Sequence, residues 1–288
     1  MPSNIIQWFP GHMAKTRRVI KECLPSVDIV LEILDARIPL SSQNPELSDI
    51  ISSKPRLTLL AKCSLSDPRA NDRWREYFKK NGRKCLFIDS VTGEGINNIA
   101  PEIRNMLGEK IARYEEKGMS GRPLKAMVVG IPNVGKSSLI NKLCGAKKAK
   151  VEDRPGVTLT KQWIRTKIGI DLLDMPGVLW PKFDDQKVGE SLAMTGAVKD
   201  EITDTEALAI KLVGRLRVLY PELLCERYKL GDYENYAELQ DWELFEKIGE
   251  KRGFLISRGE VDFTRTSSTL LDEFRSAKIG RITLEEPT

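Results

Sequence analysis

The sequence predicts an α/β protein, a mostly parallel sheet with helices on both faces, followed by a small all-α region. Three observations predict it. Short apolar runs at 28–35, 57–60, 85–88 and 126–129 alternate with stretches of helical periodicity. The last run leads into Gly130-Ile131-Pro132-Asn133-Val134-Gly135-Lys136-Ser137, which is followed by a periodic segment carrying Leu139, Ile140 and Leu143. From 188 onward, Leu208, Leu212, Leu216 and Leu219, then Trp242, Phe245 and Ile248, then Leu270, Leu271 and Phe274 recur at helical spacing. The expected division is 1–187, including an N-terminal extension, and 188–288.

Composition narrows the class. At 288 residues the chain can hold two domains and a sizeable core. Its formal charge of +5 is uneven: 32 basic against 21 acidic residues precede Glu190, and 14 against 20 follow from there. The basic first part favours an anionic partner. Five scattered cysteines without a C-x-x-C pair suggest reduced thiols and a cytoplasmic chain, and give no zinc spacing. The absence of a signal-peptide core or a bilayer-length apolar run argues against a membrane partner.

Taken in order, Trp8-Phe9-Pro10-Gly11 is an aromatic turn, and a basic helical stretch with Lys15, Arg17, Arg18 and Lys21 follows it. His12, the only histidine, lies between them. The first strand spans 28–35 despite its charged residues. Asn44-Pro45 opens a helix through Leu47 and Ile50. The second strand runs into Ala61-Lys62-Cys63-Ser64, and Asp67-Pro68 caps a helix through Trp74, Tyr77 and Phe78. A third strand ends in Asp89-Ser90-Val91-Thr92-Gly93. A helix through Ile99, Ile103, Met106 and Leu107 comes next, then a polar link at 115–118. Beyond the glycine loop, two strands at 163–168 and 170–173 turn at Gly169, and the second runs into Asp174-Met175-Pro176-Gly177.

Strand, glycine loop and helix together make G-x-x-x-x-G-K-S a P-loop. The glycines let consecutive N–H groups point at phosphate oxygens, and the helix N-terminus adds its dipole. Lys136 reaches the β- and γ-phosphates and Ser137 ligates magnesium. Asn133, Val134, Gly135 and Ser138 complete the cradle. Thr158, on a loop beyond the P-loop helix, is a second magnesium ligand by position. Asp174, at a strand end before P-G, holds magnesium through water, and the Gly177 N–H meets the γ-phosphate. The basic block Lys147, Lys148, Lys150 and Arg154 beside that loop predicts salt-sensitive RNA binding.

An ordinary small GTPase places its guanine-reading N-K-x-D after the D-x-P-G strand, and nothing after Asp174 fits. The matching strand ends lie upstream, at Ala61-Lys62-Cys63-Ser64 and Ser90-Val91-Thr92. The sheet is therefore expected to be circularly permuted, which nearby termini permit. With W-F-P-G-H-M-A-K at the start and G-I-P-N-V-G-K-S in the middle, the chain closely resembles the ribosome biogenesis GTPase A family across its whole length. The resemblance implies GTP hydrolysis in maturation of the large ribosomal subunit, stimulated by that subunit, with rRNA as a partner and no DNA. It implies base contacts from Ala61, Lys62, Ser64, Ser90 and Val91, and a potassium ion at Asn133 beside magnesium. Val178 stands where Ras-like enzymes carry the water-orienting glutamine. The family's N-terminal histidine, His12 here, is the implied replacement, which makes His12 and Lys136 the catalytic pair.

One departure stands out. Ala61 and Ser64 occupy the asparagine and aspartate positions of N-K-x-D, and serine has no bidentate carboxylate for guanine N1 and N2. This and Val178 leave a second reading, a non-hydrolysing nucleotide-dependent scaffold of relaxed guanine specificity. A P-loop kinase or ATPase fits the permuted motifs less well.

Overall fold

The computed structural model describes residues 11–145, 162–180, 183 and 185–287. Among them run six strands: β1 (Ile29–Asp35), β2 (Arg56–Ala61), β3 (Cys85–Phe87), β4 (Leu124–Gly130), β5 (Gln162–Arg165) and β6 (Ile170–Asp174). Their spatial order is β3-β2-β1-β4-β6-β5, parallel throughout except for β5, which runs antiparallel to β6. The order reverses between β1 and β4. Beyond the carboxyl ends of a parallel sheet, such a switch point opens a crevice where ligands bind.

The helices that flank or follow the sheet are α1 (Gly11–Cys23), α2 (Pro45–Ile51), α3 (Pro68–Lys80), α4 (Ile99–Met106), α5 (Gly108–Glu116) and α6 (Lys136–Cys144). Beyond β6 come α7 (Gln186–Met194), α8 (Thr205–Leu219), α9 (Pro221–Tyr228), α10 (Asp241–Lys251) and α11 (Phe263–Arg275), with no further strand among the described residues. The caps follow local chemistry. Asn44 accepts from Leu47 N ahead of Pro45, and Asp67 accepts from Arg69 N ahead of Pro68.

β1 is buried along its whole length, charges included. Glu32 is 2% exposed and pairs with Arg83 at 2.8 Å and Arg56 at 3.5 Å. Asp35 is 1% exposed and takes a bidentate pair from Arg37, with Lys62 at 3.1 Å. Burial pushes the Asp35 carboxyl up, but Arg37 and Lys62 hold it well below the usual carboxylate range.

Some boundaries differ from the sequence reading. A second helix follows the expected one: α4 stops at Met106, and α5 begins at Gly108 and runs into the expected polar link, ending at Glu116. Glycine there interrupts the periodicity, and α5 has no buried residue to announce it. The strand expected at 163–168 ends at Arg165, where Thr166 Oγ1 turns to the Ile170 carbonyl. Trp242 and Leu219, read as parts of core stripes, are 52% and 37% exposed, while their periodic partners Phe245, Ile248, Leu212 and Leu216 are buried. All five cysteines are free thiols.

The chain end returns to the sheet. Ile282 N donates to Leu65 O, Leu284 N donates to Arg37 O, and the Glu285 carboxylate accepts from Leu40 N and Ser41 N. Arg281 donates to the carbonyls of Cys63 and Ser66 at 2.8 and 2.9 Å.

Candidate nucleotide-binding site

The P-loop leaves the carboxyl end of β4 beside that of β1. A Cβ on Gly130 would lie 2.5 Å from the Ile33 carbonyl oxygen, so only glycine lets the two strand ends approach. Asn133 at φ +54° and Gly135 at φ +106° then turn the backbone into α6. Lys136, the first residue of α6, is 7% exposed and donates to the carbonyls of Ile131 at 2.6 Å and Gly130 at 3.2 Å. Burial and the nearby Lys62 lower its ammonium to about 8, against the opposing pull of Asp174. A cation held in this way is well placed for phosphate oxygens. Val134 is buried under the loop, and Ser137 and Ser138 are half-buried in the first turn of α6.

Asp174 ends β6, one strand away, and is 4% exposed. Its Oδ1 is buried with no hydrogen-bond partner. Burial pushes its carboxyl up, while Lys136 and the Met175 N–H act in the opposite direction. An orphaned acidic oxygen on the strand beside the P-loop strand, within electrostatic reach of Lys136, is the kind of donor a hard divalent cation takes together with the P-loop serine hydroxyl, phosphate and water, so the residues fit magnesium. Gly177 closes this side. A Cβ there would sit 2.8 Å from the Pro132 backbone and 3.0 Å from Lys136 Nζ, so only glycine lets this loop pack against the P-loop. Val178 is wholly buried, with its N–H on Gly130 O and its carbonyl accepting from Asn44 Nδ2.

The β2 and β3 ends face the other flank of the P-loop. Lys62, at φ +59°, stretches its ammonium to the Asn133 carbonyl at 2.8 Å. A Cβ on Gly135 would lie 4.0 Å from that of Ala61. One on Gly93, in the loop that carries half-buried Ser90 and exposed Val91, would lie 3.6 Å from Lys142 Nζ on α6. Ser64 Oγ donates to Asp89 Oδ2 at 2.5 Å, which ties the two strand ends together. Asn133 Nδ2 donates to the Gly196 carbonyl at 2.9 Å.

The permuted motifs at 61–64, 90–93, 130–138 and 174–177 thus meet at one sheet end. Asp89, Asp35 and Arg37 also belong there and were missed. Asp89 closes a side chain-to-backbone turn onto Val91 and Thr92 N–H, a habit of aspartate at strand ends that the sequence displays and that was open to reading. His12 falls in α1 by its backbone, but its side chain lies outside the described residues, as do Thr158 and the block Lys147, Lys148, Lys150 and Arg154. Three basic residues of the helical region have internal partners. Lys211 and Arg215 pair with Glu190, and Arg275 pairs with Asp200.

A P-loop on β4, an acidic end on β6 and base-side loops on β2 and β3 define a P-loop GTPase with its strands in circularly permuted order. Residues 125–217 match the family model described as a 50S ribosome-binding GTPase. The chain is 46% identical to ribosome biogenesis GTPase A of Priestia megaterium, over 98% of this chain and 97% of that protein. Against the Bacillus pumilus protein of the same name it is 45% identical, over 98% and 99%. Crystal structures of Thermotoga maritima YlqF match the fold at 26% identity. The GNP-bound form covers 95% of this chain and 98% of that one with a TM-score of 0.67, and the GDP-bound form reaches 0.65 over 94% and 99%. The chain belongs to the ribosome biogenesis GTPase A family.

Proposed function

We propose that the chain hydrolyses GTP as an assembly factor of the large ribosomal subunit, working in the cytoplasm and touching rRNA. The observation that carries the reading is the meeting of Lys136, Asp174 and Gly177 with the β2 and β3 loops at one switch point. Names of relatives 45–46% identical over nearly the whole chain point the same way.

In this reading Lys136 and the N–H groups of 133–138 hold the β- and γ-phosphates, and Ser137, Asp174 and Thr158 hold magnesium. Magnesium supplies charge neutralisation on the phosphate oxygens. The Asn133 carboxamide oxygen is the group for potassium. Ala61, Lys62, Ser64, Ser90 and Val91 face the base. Val178 cannot orient water, since its side chain is buried and its peptide is bonded on both sides. His12, which can accept or donate one hydrogen bond as a neutral imidazole, takes that role when the N-terminal segment lies over the site on the subunit.

GTP turnover with and without purified large ribosomal subunits tests this. The expected result is weak basal turnover that the subunit stimulates, with His12→Ala lowering stimulated turnover about 100-fold or more at unchanged nucleotide affinity. Full stimulation in that variant would remove His12 from the reaction. Nucleotide-dependent binding to subunits without any turnover would favour the scaffold reading, to which the buried Val178 already lends weight.

A further inference from the structure

The base-side flank lacks the feature on which guanine recognition normally rests. No carboxylate stands at position 64, yet one lies directly behind it. Asp89 is 3% exposed just beyond β3, and its carboxylate is faced by donors. Its Oδ1 accepts from Val91 N at 2.7 Å and Thr92 N at 3.0 Å, and its Oδ2 accepts from Ser64 Oγ at 2.5 Å. Burial pushes this carboxyl up, but the bonds from Ser64, Thr92 and Val91 outweigh it and keep the group below its ordinary value. Asp89 is therefore ionised and can only accept. The Ser64 hydroxyl proton is committed to it, which leaves only lone pairs on Ser64 Oγ for a ligand.

We infer that Ser64 and Asp89 together replace the base-reading aspartate: Ser64 Oγ, fixed as an acceptor by donating to Asp89, accepts from the N1–H and N2–H edge of guanine. The inference rests on the nucleotide reading of the P-loop and goes beyond it by assigning base selectivity to a two-residue relay. Position supports it. Ser64 is half-buried two residues after Lys62, whose ammonium is on the P-loop carbonyl of Asn133, and the Asp89 turn shapes the 90–93 loop against α6. Polarity supports it as well. A hydroxyl that donates to a carboxylate is a stronger acceptor at its lone pairs, because chained hydrogen bonds polarise one another. Such an acceptor suits guanine, repels the O2 that xanthine carries in place of the 2-amino group, and repels adenine N1.

The test is competition of GTP, XTP and ATP against a fluorescent guanine nucleotide on the full chain, comparing wild type with Ser64→Ala, Ser64→Thr and Asp89→Asn. Wild type should prefer GTP. Ser64→Ala should weaken GTP about 10–100-fold with little change for ATP, the scale of leaving a buried guanine donor unpaired. Ser64→Thr, which keeps the hydroxyl, should restore the preference. Asp89→Asn offers an amide donor to Ser64 Oγ and frees the hydroxyl to donate, so the GTP-to-XTP ratio should fall at least tenfold. A bracing role alone would lower all three nucleotides together. Unchanged GTP-to-ATP and GTP-to-XTP ratios in Ser64→Ala, or equal losses for all three in Asp89→Asn, would overturn the relay while triphosphate binding stands. Failure of wild type to bind any of the three would instead overturn the nucleotide reading itself, and the relay with it.

Discussion

At the scale of single residues, Lys136 does the most. Its ammonium is buried between two backbone carbonyls and lowered to about 8, so the free protein loses this charge as pH rises through that value. A bound triphosphate restores the charged form. Triphosphate affinity should be level below about pH 8 and fall above it by up to about tenfold per unit, with proton uptake on binding near pH 8.5. Calorimetry in buffers of different ionisation enthalpy reads that uptake, and its absence would show that Lys136 keeps its charge without ligand. The motif residues here were legible because each phosphate-handling group follows a glycine or strand-end pattern. Asp89 and Ser64 show the limit: the sequence displays the missing aspartate, but only the packing of two strand ends shows which carboxylate stands behind the serine.

At the scale of elements, β1 carries the strongest local conflict. A central strand flanked on both sides should be apolar, and this one buries Glu32 and Asp35. Arg83 and Arg56 reach Glu32 from beside β3 and from β2, and Arg37 and Lys62 reach Asp35. Glu32→Ala would leave Arg83 turned inward without its anion. The expected cost is about 3 kcal/mol, the low end for a broken buried pair because both arginines keep some solvent contact. Urea unfolding should show a lower midpoint at unchanged slope, and a shift under about 0.5 kcal/mol would mean the pair is not needed. Strand existence was readable from apolar runs. Of the buried carboxylates' partners, only Arg37 stands close in sequence, just after Asp35; Arg56, Arg83 and Lys62 lie tens of residues from the carboxylates they meet, where no spacing rule reaches. The same holds for α5, which has no fully buried residue and rests on the core only through half-buried Ile111, and for Trp242, which kept the helical period but faces outward.

At the scale of the whole molecule, the permuted order and the returning chain end have a shared consequence. Strand order, not chain order, decides what meets at the switch point, so motifs from 61–64 to 174–177 converge. The chain end then ties the helical region to the base-side loop, with Arg281 on the carbonyls of Cys63 and Ser66 and Tyr220 Oη on Asp67 and the Thr283 carbonyl. Arg281→Ala should lower stability by about 1–3 kcal/mol, as two hydrogen bonds from a charged donor are lost. It should also weaken GTP binding through the loosened 63–66 segment. Thermal unfolding with and without GDP separates the two effects, and an unchanged ligand-induced shift would confine Arg281 to stability.

The site as a whole is tested most directly by equilibrium binding of labelled GTP to the wild-type chain and to Lys136→Ala. Loss of a partly desolvated, charge-assisted phosphate contact should weaken binding by roughly 2–4 kcal/mol, with the fold intact by circular dichroism. Equal affinity in the two proteins would place the phosphates somewhere other than the loop between β4 and α6.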